Sequence, residues 1–244
     1  MNRLLDLYSC AGGAGEGYRR AGFTVYSVDL YPQPHNPFPF YQGDVIAVLT
    51  SLILGEGIQF SNGETLHLED FHTIHASPPC QAYSAAKSKN PKPRTDHPDL
   101  VDPTRDLLKA TGKPWIIENV VGAPLIDPIR LCGTQFNLVA DDVDGVPLRL
   151  LRHRLFESSQ EIHAPEHLSH KHFPGLTASV FGSGGTYTPE FRDNPKRGGG
   201  YVPHIEVIKE LMGIDWMNRY ELSQSIPPAF TEYLGRQLLG GTES

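Results

Sequence analysis

The apolar positions of this chain fall into short continuous runs separated by glycine, proline and charge, the pattern of strands buried on both faces. Residues 3–8 form the first run. They turn at Ser9 through Gly13 and continue as an amphipathic segment through Tyr18 and Ala21, which predicts a strand, a glycine turn and a helix. Residues 24–28 predict a second strand ending at Asp29. The stretch 32–39 carries four prolines and predicts a surface loop. Residues 45–54 read as a helix and 55–68 as an irregular insertion or hairpin. Residues 72–76 and 114–117 read as strands, with Glu118 ending the second. Pro103 sits in the first turn of a helix reaching about Thr111, ahead of Gly112. Strand, helix and strand in repetition imply an α/β fold with a parallel sheet and right-handed crossovers.

From about Glu157 the texture changes. His163, His167, His170 and His172 crowd together, and 182–200 is rich in glycine, proline and charge. Regular patterning resumes with a helix over 204–212, ended by Gly213, and a closing helix over 228–239. The organisation expected is a main domain over 1–156, a small irregular lobe over 157–203 and helices over 204–244 that return to the main domain. At 244 residues the chain is long enough for one substantial domain plus such a lobe.

Composition adds few constraints. Hydrophobic residues at 39% and charged residues at 20% suit a soluble globular protein. No apolar run approaches the roughly 20 residues that span a bilayer, and Asp6 interrupts the early apolar residues before a signal layout can form. Cys10, Cys80 and Cys132 are an odd number, which argues against a disulfide framework and for a reducing compartment, the cytoplasm. The net charge of −7 looks wrong for a partner of nucleic acid. Phosphate contacts depend on local cations, however, and these are grouped. Lys87, Lys89, Lys92 and Arg94 form one group, Arg149, Arg152 and Arg154 a second, and Arg192, Lys196 and Arg197 a third. A basic cleft on an acidic body is expected.

The candidate chemistry lies in Ser77-Pro78-Pro79-Cys80-Gln81 and Trp115-Ile116-Ile117-Glu118-Asn119-Val120. Two prolines stiffen the loop that presents the Cys80 thiol. A nucleophile and a carboxylic acid then stand at the ends of separate strands, where open α/β sheets place their chemistry. After the first strand, Gly12, Gly13, Gly15 and Gly17 would let the backbone approach a ligand. Asp29 lies near the spacing expected for a carboxylate that bonds ribose hydroxyls.

In order along nearly its whole length, the chain resembles the DNA (cytosine-5) methyltransferases. Asp6-Leu7-Tyr8-Ser9-Cys10-Ala11-Gly12-Gly13 resembles the family's cofactor-binding opening, and Gln42-Gly43-Asp44-Val45 its acidic turn. Pro79-Cys80-Gln81 matches the nucleophile motif, Glu118-Asn119-Val120 the acid motif and Arg152-His153-Arg154 the spaced arginine pair. Ser225-Ile226-Pro227-Pro228 lies where the C-terminal cofactor motif would fall. Two departures stand out. Cys10 occupies the place of the usual first glycine, and Ser223-Gln224 replaces the usual Gly-Asn.

The resemblance implies a Rossmann-like, S-adenosylmethionine-dependent methyltransferase sheet with a target-recognition lobe. It implies a small stand-alone enzyme of phage type, methylating carbon 5 of a flipped-out cytosine in double-stranded DNA, as in restriction-modification. The absence of a lysine-containing phosphate loop fits a ligand with ribose and adenine but no phosphates. By resemblance Tyr8 packs on the adenine, Asp44 accepts from its amine, and Gly12, Gly13, Asp29, Pro79 and Ser225 complete the cofactor site. Cys80 would attack carbon 6 as a thiolate. Glu118 would hold a proton at ring nitrogen 3, Arg154 would donate to the 2-oxygen, and Arg152 would order the neighbouring loop. Asn119 would shape the site. Gln81, Ser84 and Lys87 belong to a loop that would close over DNA, and Arg192, Lys196 and Arg197 would follow phosphates or reach base edges. A monomer is expected.

Two further readings stay open: cytosine-5 methylation of RNA or a free nucleotide, and a catalytically silent nucleic-acid-binding homologue. The histidines lack a cysteine pair at ligand spacing. They are expected to be solvated or to face phosphate, with no metal, and Cys132 is expected to be a core thiol.

Overall fold

In the computed structural model the residues described are 2–81, 83, 99–167, 169–172, 175–180, 189–193 and 201–240. The first half alternates strands and helices: β1 Arg3–Leu7, α1 Gly13–Ala21, β2 Thr24–Asp29, β3 Phe40–Gln42, α2 Val45–Ile53, β4 Ile58–Gln59, β5 Thr65–Leu66, β6 Thr73–Ala76, α3 Val101–Ala110 and β7 Trp115–Asn119. There follow β8 Ile129–Leu131, β9 Val139–Asp141, β10 Pro147–Leu150, β11 Arg154–Ser158, β12 Leu176–Ala178, α4 Pro189–Arg192, α5 Ile205–Met212, α6 Arg219–Gln224 and α7 Pro228–Leu238.

The main sheet has seven strands in the order β3-β2-β1-β6-β7-β11-β8. The first five run parallel, as the buried apolar runs predict. β11 is antiparallel to both of its neighbours, which differs from the all-parallel expectation. Parallel pairing requires a long crossover, usually a helix. The path from β8 to β11 runs instead through the β9–β10 hairpin, so the chain re-enters the sheet from the opposite end. The 55–68 insertion is the β4–β5 hairpin.

Local chemistry sets several element boundaries. Asp44 caps α2 by accepting from the Ala47 N–H at 2.9 Å. Asn218 and Glu221 form a reciprocal capping box on α6. Pro228 opens α7, where its missing N–H costs little. Gly213 ends α5 at φ +67.

A second sheet, β12-β10-β9, carries its own core. Ala140, Leu148, Leu150, Ala178 and Val202 pack with Val207, Ile208 and Leu211 of α5. The small lobe therefore takes two strands from before Glu157, and α5 covers it. It is discontinuous in sequence, because a hairpin at 139–150 can pair with β12 only in three dimensions. The segment after α5 contacts α1 and the turn before it. Arg20 Nη2 donates to the Gly213 carbonyl at 3.0 Å, and Trp216 Nε1 donates to the Ala11 carbonyl at 3.0 Å. Helix α7 lies on α1 so closely that a Cβ on Gly17 would sit 2.1 Å from the Pro228 carbonyl oxygen. No helix among the described residues is long and apolar enough to cross a membrane.

Candidate active site

Strand β1 is flanked by β2 on one side and β6 on the other, and the order of strands reverses there. The crevice outside the carboxyl ends of β1 and β6 is thus the topological switch point, where open α/β sheets bind ligands. Tyr8, Ser9 and Cys10 leave β1 into that crevice, and Ser77 through Cys80 leave β6 beside them.

The glycine turn is tightly built. Gly12 has φ +83, and its N–H donates to the Ser9 carbonyl at 2.9 Å. Tyr8 and Cys10 also have positive φ, 57 and 45, unusual for side chains with a Cβ. Cys10 thus holds a backbone conformation that favours glycine. Its N–H is fixed by Asp29 Oδ2 at 2.9 Å. Asp29 Oδ1 accepts from the Tyr31 N–H at 3.0 Å, so the carboxylate at the end of β2 is oriented by two backbone donors. The Tyr8 hydroxyl hydrogen-bonds with Thr104 Oγ1 at 2.8 Å. Gly13 lies against Ser225 with no room for a side chain between them, which brings the C-terminal segment to the turn. Gln224 is exposed and directs its amide to Ser223 Oγ at 3.2 Å.

On the other side of the crevice, β6 and β7 are adjacent and parallel, with Ala76 opposite Ile117. The next positions along, Ser77 and Glu118, are hydrogen-bonded through their side chains. Glu118 lies within β7 and is buried. Burial pushes its pKa up, against the opposing charges of Arg154 and Arg152 and the Ser77 hydrogen bond. Arg154 Nε lies 3.0 Å from Glu118 Oε1, and its Nη1 donates to the His153 carbonyl at 2.9 Å. Cys80 is half-buried. Burial raises its pKa and the Glu118 charge adds to the rise, while Arg154 and Arg152 lower it. Asn119 Nδ2 donates to the Pro78 carbonyl at 3.0 Å and so pins the proline loop to β7.

Arg152, at φ 36, turns away from this group. Its Nε donates to the Ser225 carbonyl at 2.8 Å and its Nη2 to the Ser223 carbonyl at 2.6 Å. It ties the arginine-bearing loop to the same C-terminal segment that touches Gly13. Pro79 is half-buried, and Gln81 is exposed at the mouth.

Arg192 is the clear departure. Expected to meet phosphate or bases, it is instead enclosed by carboxylates: Nη1 to Asp142 Oδ2 at 2.7 Å, Nη2 to Asp144 Oδ2 at 2.7 Å and Nε to Asp193 Oδ1 at 2.8 Å. Its side chain is 2% exposed. A guanidinium already neutralised and buried fastens α4 to the β9–β10 turn, and it is not offered to a polyanion. Asp142 and Asp144 lie about fifty residues away in sequence, so nothing local revealed the pairing. Arg149 likewise reaches inward, donating to the His170 carbonyl at 2.7 Å. Ser84, Lys87, Lys89, Lys92, Arg94, Lys196 and Arg197 lie outside the described residues.

Three residues without an assigned role in the sequence motifs, Tyr18, His75 and Ser77, support Glu118. Buried His75, held neutral by a pKa that burial pushes down to about 3, joins Tyr18 Oη to Nδ1 at 3.0 Å and Ser77 Oγ to Nε2 at 3.0 Å. With the Tyr18 hydroxyl donating to Nδ1, Nε2–H donates to Ser77, whose hydroxyl is free to donate to Glu118. The signal available was His75 and Ser77 alternating on β6 and its extension, just ahead of the nucleophile loop.

No protein-family model matches the chain, and no curated protein does. Solved structures do. One is assigned as a DNA modification methyltransferase encoded within an E. coli prophage, at 14% identity and a TM-score of 0.57, covering 98% of this chain and 99% of that one. A Spodoptera frugiperda DNMT2 structure aligns at 13% identity and 0.55, covering 98% and 100%. An S. pombe Dnmt2 methyltransferase structure aligns at 14% and 0.54, covering 98% and 99%. Over nearly its whole length, this chain has the fold of these methyltransferase structures.

Proposed function

We propose that the chain transfers a methyl group from S-adenosylmethionine to carbon 5 of cytosine in double-stranded DNA, through a covalent adduct with Cys80. One observation carries the reading: a half-buried thiol and a buried carboxyl stand at the carboxyl ends of adjacent parallel strands beside the switch point, electrostatically coupled to an arginine at the start of the antiparallel β11. The prophage DNA modification methyltransferase of the same fold supports DNA as the substrate.

The residues of the crevice fit S-adenosylmethionine. Asp29 and Asp44 offer carboxylates at the ends of β2 and β3, and the glycine turn offers close backbone. Tyr8 offers a ring, with Gly12, Gly13, Pro79 and Ser225 around it. These residues include no lysine or arginine to meet a phosphate, as suits a phosphate-free nucleoside. When bound, the cofactor supplies an electrophilic methyl group.

The chain's own residues do the rest. The target cytosine must leave the stack, at a cost of a few kcal/mol. The Cys80 thiolate forms a bond to carbon 6, and the displaced electron density moves onto carbon 5 and toward ring nitrogen 3. Glu118, whose pKa burial raises, is the group we assign to give a proton to that nitrogen. Arg154 pairs with Glu118 through Nε, and in this reading, as the resemblance implies, its guanidinium donates to the 2-oxygen. Once carbon 5 is methylated, the nitrogen-3 proton returns to Glu118, the carbon-5 proton departs to a base or to water, and its electron pair restores the ring double bond as the carbon–sulfur bond breaks and releases the Cys80 thiolate.

The test is bisulfite sequencing of DNA from cells expressing the chain, alongside incubation of purified protein with DNA or RNA duplexes containing 5-fluorocytosine. A denaturation-resistant adduct on DNA, absent in Cys80→Ala, is the expected result. An adduct on RNA alone moves the substrate to RNA. Methylation with no adduct on either overturns the covalent mechanism.

A further inference from the structure

Away from the crevice, the structure brings Cys132, His153, His167 and His170 to one point, with one ligand-capable atom from each residue all within 4.8 Å of one another. We propose that these four residues bind one zinc ion as a closed structural site. The inference stands independently of the methyl-transfer reading.

The distances fit a tetrahedron. Zinc bonds of about 2.0–2.1 Å to nitrogen and about 2.3 Å to sulfur set nitrogen–nitrogen edges of about 3.3 Å and nitrogen–sulfur edges of about 3.6 Å. Here His167 Nε2 lies 3.1 Å from His170 Nε2, and Cys132 Sγ lies 3.5 Å from His170 Nε2. Hydrogen bonding alone accounts poorly for this. His170 Nε2 faces both a second imidazole nitrogen and a sulfur, yet a ring nitrogen carries one in-plane proton or one lone pair. A cation at the centre satisfies all the partners at once. His167 meets His170 at 85° and His153 at 69°, and His153 tilts by 36° against His170.

The surroundings are those of a built site. Thr134 Oγ1 lies 3.2 Å from Cys132 Sγ and can donate to a thiolate. Gln135 accepts from the Cys132 N–H at 2.6 Å and donates to the Pro165 carbonyl at 2.6 Å, joining the cysteine turn to the histidine segment. Arg149 donates to the His170 carbonyl and Arg154 to the His153 carbonyl. Such outer partners orient metal ligands. Three imidazoles and one thiolate around a tetrahedral point suit zinc. Four protein ligands leave no open position, which makes the role structural. On binding, Cys132 loses its thiol proton to solvent as the sulfur–zinc bond forms.

The consequence lies next to the active site. The ion would staple the end of β8, the residue just before β11 and the 163–172 segment together, one residue from Arg154. His163 and His172 are exposed and stand outside the set.

The test is metal analysis of the full chain purified without chelators from zinc-supplemented cells. One zinc per chain is expected, with its loss in Cys132→Ser and in His170→Gln and its retention in His163→Gln and His172→Gln. Cobalt added to the chelator-stripped wild type should give the absorption of a tetrahedral thiolate complex, and Cys132→Ser should abolish the sulfur-to-cobalt band. Chelation should lower the melting temperature of the wild type. Wild-type protein that holds only traces of zinc and takes up neither zinc nor cobalt overturns the proposal, whatever the folding of the variants. Full zinc content in both Cys132→Ser and His170→Gln overturns it equally.

Discussion

Arg154 Nε meets Glu118 Oε1 at 3.0 Å, and through this pair the electrostatics of Glu118 and of Cys80 become one problem. Burial raises the pKa of Cys80, Glu118 raises it further, and Arg154 opposes both. Glu118→Gln should therefore lower the pH midpoint of Cys80 alkylation, and Arg154→Ala should raise it. Iodoacetamide labelling against pH, resolved by peptide mass spectrometry, measures both. Shifts of the same sign in the two variants would show that the thiol does not feel this pair.

Asp6, near the end of β1, is fully buried, and neither carboxylate oxygen has a hydrogen bond of good geometry. Burial pushes its pKa up to about 8, Asp29 adds to the shift, and the Gly15 backbone N–H opposes it. The folded value lies above the unfolded value of about 3.9, so the folded chain prefers the protonated form. The stability this contributes is present below about pH 4 and is lost as pH rises toward 8, to a total on the order of 5 kcal/mol. Asp6→Asn should remove that loss. Its gain in melting temperature over wild type should be large at pH 8.5 and small at pH 5. A uniform effect across pH would mean that Asp6 is already ionised in the fold.

Gly13 and Ser225 leave no room for a methyl group, since a Cβ on Gly13 would sit 1.7 Å from Ser225 Oγ and 3.1 Å from its Cβ. Gly13→Ala should cost about 1–3 kcal/mol through overpacking. Ser225→Gly in the same chain should recover part of it. A double-mutant cycle by urea unfolding reads the coupling, and strict additivity would show that the two segments move apart freely.

Arg105 and Glu157 form a buried bidentate pair, Nε to Oε1 at 2.7 Å and Nη2 to Oε2 at 2.8 Å. It fastens α3 to β11. Arg105→Ala leaves the Glu157 carboxylate buried without its partner and should destabilise by about 3–5 kcal/mol. The double change Arg105→Met with Glu157→Leu should lose much less. Equal losses in the denaturation midpoint would assign the effect to packing and not to the stranded charge.

What the sequence determined by itself is local. The strand, glycine turn and helix at 3–21, the rigid Pro78-Pro79-Cys80 loop and the helix ends at Asp44, Gly213 and Pro228 follow from torsional preference and capping, which act over a few residues. Cys80 and Glu118 were legible as candidates because each sits just beyond or within an apolar run, and adjacent parallel strands bring them together. The tertiary structure decided what depends on distant partners. The β9–β10 hairpin reversed β11 and drew two strands into the small lobe. Asp142 and Asp144 captured Arg192 and removed it from the expected DNA-facing surface. Cys132 met His153, His167 and His170 although 38 residues separate the first from the last. Spacing along the chain carries no trace of such convergence, because the ends of β8 and β11 are neighbours only through the register Leu131 to Arg154. Hydrophobic periodicity records which face of an element is buried. It does not record which polar group waits on the other side.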